Sequence, residues 1–217
     1  MDESDAIVHV VDDDEAFRNA LRRVLVVCGF RVATYASAGE FLLAEPGDGP
    51  GCMLLDVVMP GPGGLQLQSA LARRRSRLPV VVMSGRADIP MSVAAFKLGA
   101  IDFLTKPIDE DVLLETVGRA VALSRTRAAD AQRGEAARMQ LSHLSPRERE
   151  VFQALVAGRM NKQIAAALGT GERTVKAHRA SVMRKLGVHS TADLVRMDMD
   201  ARACEEDDAG ALAGVLR

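Results

Sequence analysis

Carboxylates, a hydroxyl and an ammonium recur in this sequence at one kind of place, the end of a short apolar run. The run 7–11, IVHVV, leads into Asp12, Asp13 and Asp14; CMLLD (52–56) ends on Asp56; PVVVM (79–83) precedes Ser84; IDFL (101–104) is followed by Thr105 and Lys106. Adjacent carboxylates repel and raise one another's pKa, so three in a row need water or a cation. Hard oxygen donors suit Mg2+ (or Mn2+), which keeps several waters and bridges one or two carboxylates to a phosphate. An aspartate at a strand end is placed as a nucleophile for phosphoryl transfer, which gives Asp56 that role. The Ser84 hydroxyl and the Lys106 ammonium suit the remaining phosphoryl oxygens. Gly85 lets backbone approach closely beside Ser84, and a cis Lys106–Pro107 bond would form a turn that aims the lysine inward.

Those groups meet only if the runs are neighbouring strands. Five β-branched apolar runs (7–11, 31–35, 52–56, 79–83 and 101–104) alternate with amphipathic stretches of about three helical turns, among them 15–28 and 65–74. Continuous apolar strands imply a sheet covered on both faces, and the alternation predicts a doubly wound α/β fold with a five-stranded parallel sheet. Ligands of such sheets sit at the carboxyl ends of the strands, where all the groups above fall.

The charge is unevenly spread. Residues 1–125 carry 13 basic and 17 acidic side chains, a net of −4; residues 143–199 carry 10 and 5, a net of +5; the last 18 return to −3. An acidic front and a basic back predict two domains, the second facing an anion. The opening MDESD has no apolar segment and does not read as a secretory leader, and no apolar run approaches the roughly 20 residues of a membrane span. Cys28, Cys52 and Cys204 are scattered, which argues against a disulfide framework and fits a reducing cytoplasm.

Residues 124–142, rich in Ala and Arg, read as a helical linker. Beyond them Ser145, Pro146 and Glu148 form a capping box. The helix they start stops at Gly158. Asn161 is placed to cap a second helix ending at Gly169, a third runs over 172–186 to Gly187, and Ser190 with Asp193 opens a fourth near 191–200. Four helices with a tight turn between the middle pair make an all-α helix-turn-helix domain. On the third, Val175, Val182 and Leu186 share one side. The other presents Arg173, Thr174, Lys176, Ala177, Ala180, Ser181 and Arg184. Small residues centre this basic face, so the helix can sit deep in a DNA major groove. Lys176 and Ser181 then reach base edges, and Ala177 and Ala180 meet thymine methyls. Arg173 and Arg184, nearer the rim, suit phosphates, as do Asn161 and Lys162 at the preceding helix N-terminus.

VVDDD, LLDVVMPGPGG, VVMSGRAD and AIDFLTKP, in this order, resemble the receiver domain of two-component response regulators over residues 1 to about 122. The resemblance implies the flavodoxin-like strand order 2-1-3-4-5 and Asp56 as phosphoacceptor. It implies Mg2+ held directly by Asp13, through water by Asp12, and by Asp56 and the Val58 carbonyl. Ser84 becomes the switch hydroxyl, Lys106 the phosphate-binding lysine and Phe103 the aromatic that changes rotamer. LSPREREVFQALVAG, NKQIAAALG and RTVKAHRASVMRKLGV resemble the LuxR-type DNA-binding domain, with Thr170 and Gly171 departing from its usual turn. Joined to a receiver this resembles the NarL/FixJ class, and IPMSV (89–93) leans towards FixJ.

The expected organisation is a receiver over 1–123, a linker over 124–142, a DNA-binding domain over 143–200 and an acidic mobile tail over 201–217. The expected function is a cytoplasmic transcriptional regulator, an activator by analogy, and not an enzyme beyond its own phosphorylation and dephosphorylation. Its implied partners are a sensor histidine kinase, double-stranded DNA with a two-fold related site, a second copy on phosphorylation and the transcription machinery, with no membrane. Two rivals remain at this level. A haloacid-dehalogenase-type phosphatase also uses aspartate and Mg2+, but Glu15 and Ala16 stand where its Gly-Thr would follow, and the basic module would go unexplained. A DNA-binding regulator that needs no phosphate is the other.

Overall fold

The computed structural model describes residues 6–47, 49–85 and 89–213, with side chains through residue 203. Its two compact units divide between Ala128 and Ala129.

In the first unit, β1 (Ile7–Val11), β2 (Arg31–Tyr35), β3 (Gly51–Asp56), β4 (Val80–Ser84) and β5 (Asp102–Thr105) form one parallel sheet in the order β2-β1-β3-β4-β5. Helices α1 (Glu15–Val27), α2 (Ala38–Ala44), α3 (Gly64–Arg73), α4 (Ile89–Lys97) and α5 (Glu110–Ser142) alternate with the strands. All six residues of β3 and all five of β4 are buried, which is why these runs lack polar alternation. One core gathers Val8, Val10, Leu25, Leu54 and Val117; the other gathers Val11, Leu55, Leu67, Val82 and Ala95. Register then sets the chemistry. Val11 pairs with Leu55 and Met83 with Asp56, so Asp12 and Asp56 emerge side by side at the sheet's carboxyl edge.

Polar groups inside this unit are few. His9 in β1, 5% exposed, shares a 3.1 Å hydrogen bond between Nδ1 and the Tyr35 hydroxyl and packs edge-on to Phe41. Burial pushes its pKa down to about 4. The ring is therefore neutral in the fold but protonates in the unfolded chain below about pH 6.5, so its contribution is lost as pH falls from 6.5 towards 4. The wild type should lose about 2 kcal/mol more than His9→Phe between pH 7 and pH 5. Denaturant titrations followed by fluorescence of Tyr35, the sole tyrosine in a chain without Trp, would check this; equal losses would refute it.

Residues 124–142 are helical, as the last part of α5. In the second unit α6 (Pro146–Val156), α7 (Asn161–Ala167), α8 (Glu172–Leu186) and α9 (Thr191–Ala213) pack around Val151, Phe152, Leu155, Ile164, Val175, Val182 and Leu194. The Ser145 capping box forms, with Glu148 N–H donating to Ser145 Oγ (3.3 Å) and Ser145 N–H to Glu148 Oε2 (2.8 Å). Ser190 and Asp193 form the second box, at 3.0 and 3.1 Å. Two expectations shift. The helix after Gly158 is capped by Met160, whose N–H is taken by Gln163 Oε1 at 2.8 Å, and Asn161 is already its first residue. The last helix, expected to end near Asp200, continues to Ala213; no proline interrupts ARACEEDDAGALA, and the chain carries the helix through Gly210. The remainder of the expected tail lies outside the described residues.

Candidate functional site

Four strand ends build the acidic crevice. Asp12, fully buried, follows β1; its backbone N–H donates to Tyr35 O (3.2 Å) and its Oδ1 accepts from Asp14 N–H (3.0 Å). Asp13 is exposed. Asp14 serves the helix: its Oδ1 caps α1 through the N–H groups of Ala16 (2.9 Å) and Phe17 (3.1 Å). Asp56 closes β3 and is 6% exposed, with Oδ1 accepting from Val58 N–H (3.0 Å).

Lys106 joins the two buried carboxylates. Its Nζ donates to Asp12 Oδ2 at 2.5 Å and to Asp56 Oδ2 at 2.7 Å, and lies 4.3 Å from the Phe17 ring centroid. The Lys106–Pro107 bond is cis. Burial pushes the Asp12 carboxyl up, and the bond and charge of Lys106 oppose the rise without cancelling it. Burial also disfavours the Lys106 charge, but its two carboxylate partners outweigh that and hold its pKa above the usual lysine value. Ser84, fully buried at the end of β4, directs its Oγ to within 4.0 Å of Met91 Sδ. Phe103 in β5 is half-buried against the second core.

One oxygen from each of Asp12, Asp13 and Asp56 lies within 4.8 Å of the others. Three hard, anionic donors at that spacing, one open to solvent, fit a divalent cation of the Mg2+ kind, which takes few protein ligands and retains water. Gly64 was not foreseen. A Cβ there would stand 2.1 Å from the Asp56 carbonyl oxygen, so the loop leaving the aspartate closes only over a glycine. The GPGG run was its one signal. Gly85, by contrast, has no atom of the described residues within 4 Å of where a Cβ would stand, and among them the close approach expected there is not seen.

The second candidate surface lies on α7 and α8. Val175 and Val182 are fully buried and Leu186 nearly so, while Arg173, Thr174, Lys176, Ala177, Ala180 and Arg184 are exposed along α8. Gly171 caps α8 without a side-chain bond, and Gly187 ends it in the left-handed conformation (φ 66°). Lys162 is exposed on α7. Asn161 Oδ1 is buried without a partner among the described residues, which turns that oxygen away from the surface. Ser181 also departs from expectation: its hydroxyl donates to Glu148 Oε1 (2.8 Å), and Lys185 Nζ reaches Glu148 Oε2 (2.7 Å). Lys185 above all, then the Ser145 N–H and Ser181, hold the Glu148 carboxyl down at about 2. Ser181 thus orients α8 from beneath, and Glu148 is a positioning group that motif reading placed only in a capping box.

Residues 8–118 match the response regulator receiver domain family, and residues 142–198 match the LuxR family of bacterial regulatory proteins. Nodulation protein W of Bradyrhizobium diazoefficiens is 44% identical over 193 residues, 88% of this chain and 85% of its own. The transcriptional regulatory protein FixJ of Azorhizobium caulinodans is 43% identical over 206 residues, 93% and 96% of the two chains. Among solved structures, the response regulator StyR is 40% identical with a TM-score of 0.78, covering 90% of this chain and 98% of its own. No helix among the described residues is long and apolar enough to cross a membrane. With the strand order, the acidic crevice and the helix-turn-helix in place, the chain belongs to the NarL/FixJ class of response regulators, and is a phosphorylation-dependent transcriptional regulator of a two-component system.

Proposed function

We propose that Asp56 is the phosphoacceptor, and the observation that carries this is the Lys106 ammonium bound to both Asp12 and Asp56 at the sheet edge. Asp56 attacks the phosphorus of a kinase phosphohistidine; the P–N bond breaks and the imidazole leaves. Lys106, already on Asp56 Oδ2, transfers its hydrogen bond to a phosphoryl oxygen, and the Ser84 hydroxyl takes another. Asp12, Asp13, Asp56 and the Val58 carbonyl would hold Mg2+, which when bound offsets the repulsion between carboxylate and phosphoryl oxygens. Drawing Ser84 inward frees space for Phe103 and reshapes the surface of α4 and β5, where Ile89, Val93 and Phe96 are exposed. A second copy docks there, and two linked DNA-binding domains then gain affinity through effective concentration. The protein acts in the cytoplasm, with a receiver over 1–123 and a DNA-binding domain over 143–200, and recruits the transcription machinery.

Incubation with acetyl phosphate and Mg2+, followed by intact mass measurement, should add one phosphoryl group to the wild type and none to Asp56→Asn. An unmodified wild type, folded and with Mg2+ present, would overturn the assignment.

On the DNA side, Arg173→Ala and Arg184→Ala should weaken binding about equally on all sequences, each lowering the salt slope by about 1. Lys176→Ala should cost about 1–3 kcal/mol and relax the preference at one base pair. Titrations on specific and random duplexes at several salt concentrations separate the two behaviours; an unchanged slope for the arginine variants would remove them from the phosphate contacts.

A further inference from the structure

The first turn of α1 reaches the acidic crevice through consecutive residues. Asp14 Oδ1 fixes the backbone of Phe17 by accepting its N–H at 3.1 Å, and Arg18 donates from Nη1 to Asp12 O at 2.5 Å. Phe17 heads the helical stripe that runs on through Leu21 and Leu25 into the first core. Any large apolar side chain would serve that purpose. The Phe17 ring, however, is only half-buried, and the Lys106 ammonium stands over it, with Nζ 4.3 Å from the ring centroid. The face of an aromatic ring is the negative part of its quadrupole and attracts a cation at this range. An ammonium has three N–H groups. Asp12 Oδ2 and Asp56 Oδ2 take two of them, at 2.5 and 2.7 Å, and the ring stands beside them as an uncharged third partner. The Lys106 side chain is 18% exposed, so the attraction acts where most water is excluded.

We propose that Phe17 is a positioning residue for phosphoryl transfer, its ring face holding the Lys106 ammonium in line while the ammonium moves its hydrogen bond from Asp56 Oδ2 to a phosphoryl oxygen. The inference rests on Asp56 as the phosphoacceptor. As the Asp56 carboxylate bonds to phosphorus it gives up its negative charge, so one of the three attractions on Lys106 fades while charge is developing on the phosphoryl group. The attraction of the ring does not change in that step, and a fixed partner needs no reorganisation when the reaction occurs. A leucine at residue 17 fills the space without a negative face. The ammonium then turns more freely towards water and is aligned with the phosphoryl oxygen less often.

The test is the rate at which the full chain gains a phosphoryl group from acetyl phosphate with Mg2+, read by intact mass. In that reaction the bond from Asp56 to phosphorus forms as the P–O bond to acetate breaks, and acetate leaves with the electron pair. Phe17 is replaced by mono-, di- and trifluorophenylalanine, rings of nearly the same size whose negative face fades with each fluorine. The rate should fall stepwise along the series, to about fivefold below wild type at three fluorines. Phe17→Leu should match the trifluorinated chain, and Phe17→Tyr, which restores the negative face, should recover most of what leucine loses. One rate for all four rings would mean that the ring only packs, and overturns the proposal; so does a Phe17→Leu chain at the wild-type rate. The ring series stays readable if the leucine variant does not fold. A wild type that is phosphorylated beside a flat series removes Phe17 alone, whereas no phosphoryl group on any chain, wild type included, removes the assignment of Asp56 and this one with it.

Discussion

Gly64→Ala is expected to destabilise the receiver unit by about 3 kcal/mol, a large fraction of what such a unit has to lose. The reason is geometric. A Cβ at residue 64 would lie 2.1 Å from Asp56 O, 2.9 Å from Val57 Cα and 3.0 Å from Asp56 C. All three are backbone atoms, so no rotamer change relieves the overlap. The same turn is held by Gly64 N–H donating to Val57 O at 3.1 Å, and moving α3 away to make room breaks it. The displacement begins at the carbonyl of Asp56 itself, so phosphorylation by acetyl phosphate should fall along with stability. Tyr35 fluorescence reports the first unit separately, which matters because a two-unit chain need not unfold in one step. Gly85→Ala is the control: it is a neighbour of Ser84 with no described atom within 4 Å of the added Cβ, expected to change stability by no more than about 0.5 kcal/mol. Equal behaviour of the two variants would show that the loop after Asp56 can relax, contrary to this reading.

The two glycines also show where sequence reasoning succeeds and stops. The strand ends were legible because a buried parallel sheet leaves mostly apolar runs, and the hydroxyl or carboxylate that follows each run marks the edge, as Asp12, Asp56 and Ser84 do. Their convergence followed from topology alone. Steric need for glycine did not, because it depends on how closely two backbone segments pass, and spacing does not encode that distance. Side-chain direction on α8 was similarly half-legible. Helical periodicity put Val175, Val182 and Leu186 inside, but Ser181 sits at the boundary of the stripe, and a buried Glu148 on another helix drew its hydroxyl inward. The cap of α7 was misplaced by one residue for a related reason. Asn161 has the stronger intrinsic preference for a cap, yet Gln163 satisfies the Met160 N–H, and the chain enters the helix one residue earlier.

Lys106→Met tests the centre of the site, and its effect should depend on pH in a defined direction. In the wild type the ammonium offsets part of the burial that lifts the Asp12 pKa. Without it, Asp12 and Asp56 face each other with no cation between them, and the Asp12 carboxyl rises further. A carboxyl whose folded pKa lies above its unfolded value binds more protons when folded, so stability falls as pH rises through that interval. In the presence of chelator, Lys106→Met should therefore be closest to wild type in acid and fall progressively behind towards neutral pH, by about 3 kcal/mol at pH 7. Mg2+ should reverse the order of sensitivity. The variant's carboxylates carry one more unit of uncompensated negative charge, so added Mg2+ should raise its denaturation midpoint more than it raises that of the wild type. Both readouts come from the Tyr35 transition with and without Mg2+ at two pH values. A deficit independent of pH, or a smaller response to Mg2+ than in the wild type, would mean that Lys106 holds the site by packing over Phe17 instead of by its charge. The methionine keeps most of that packing and none of the charge, which is why it separates the two.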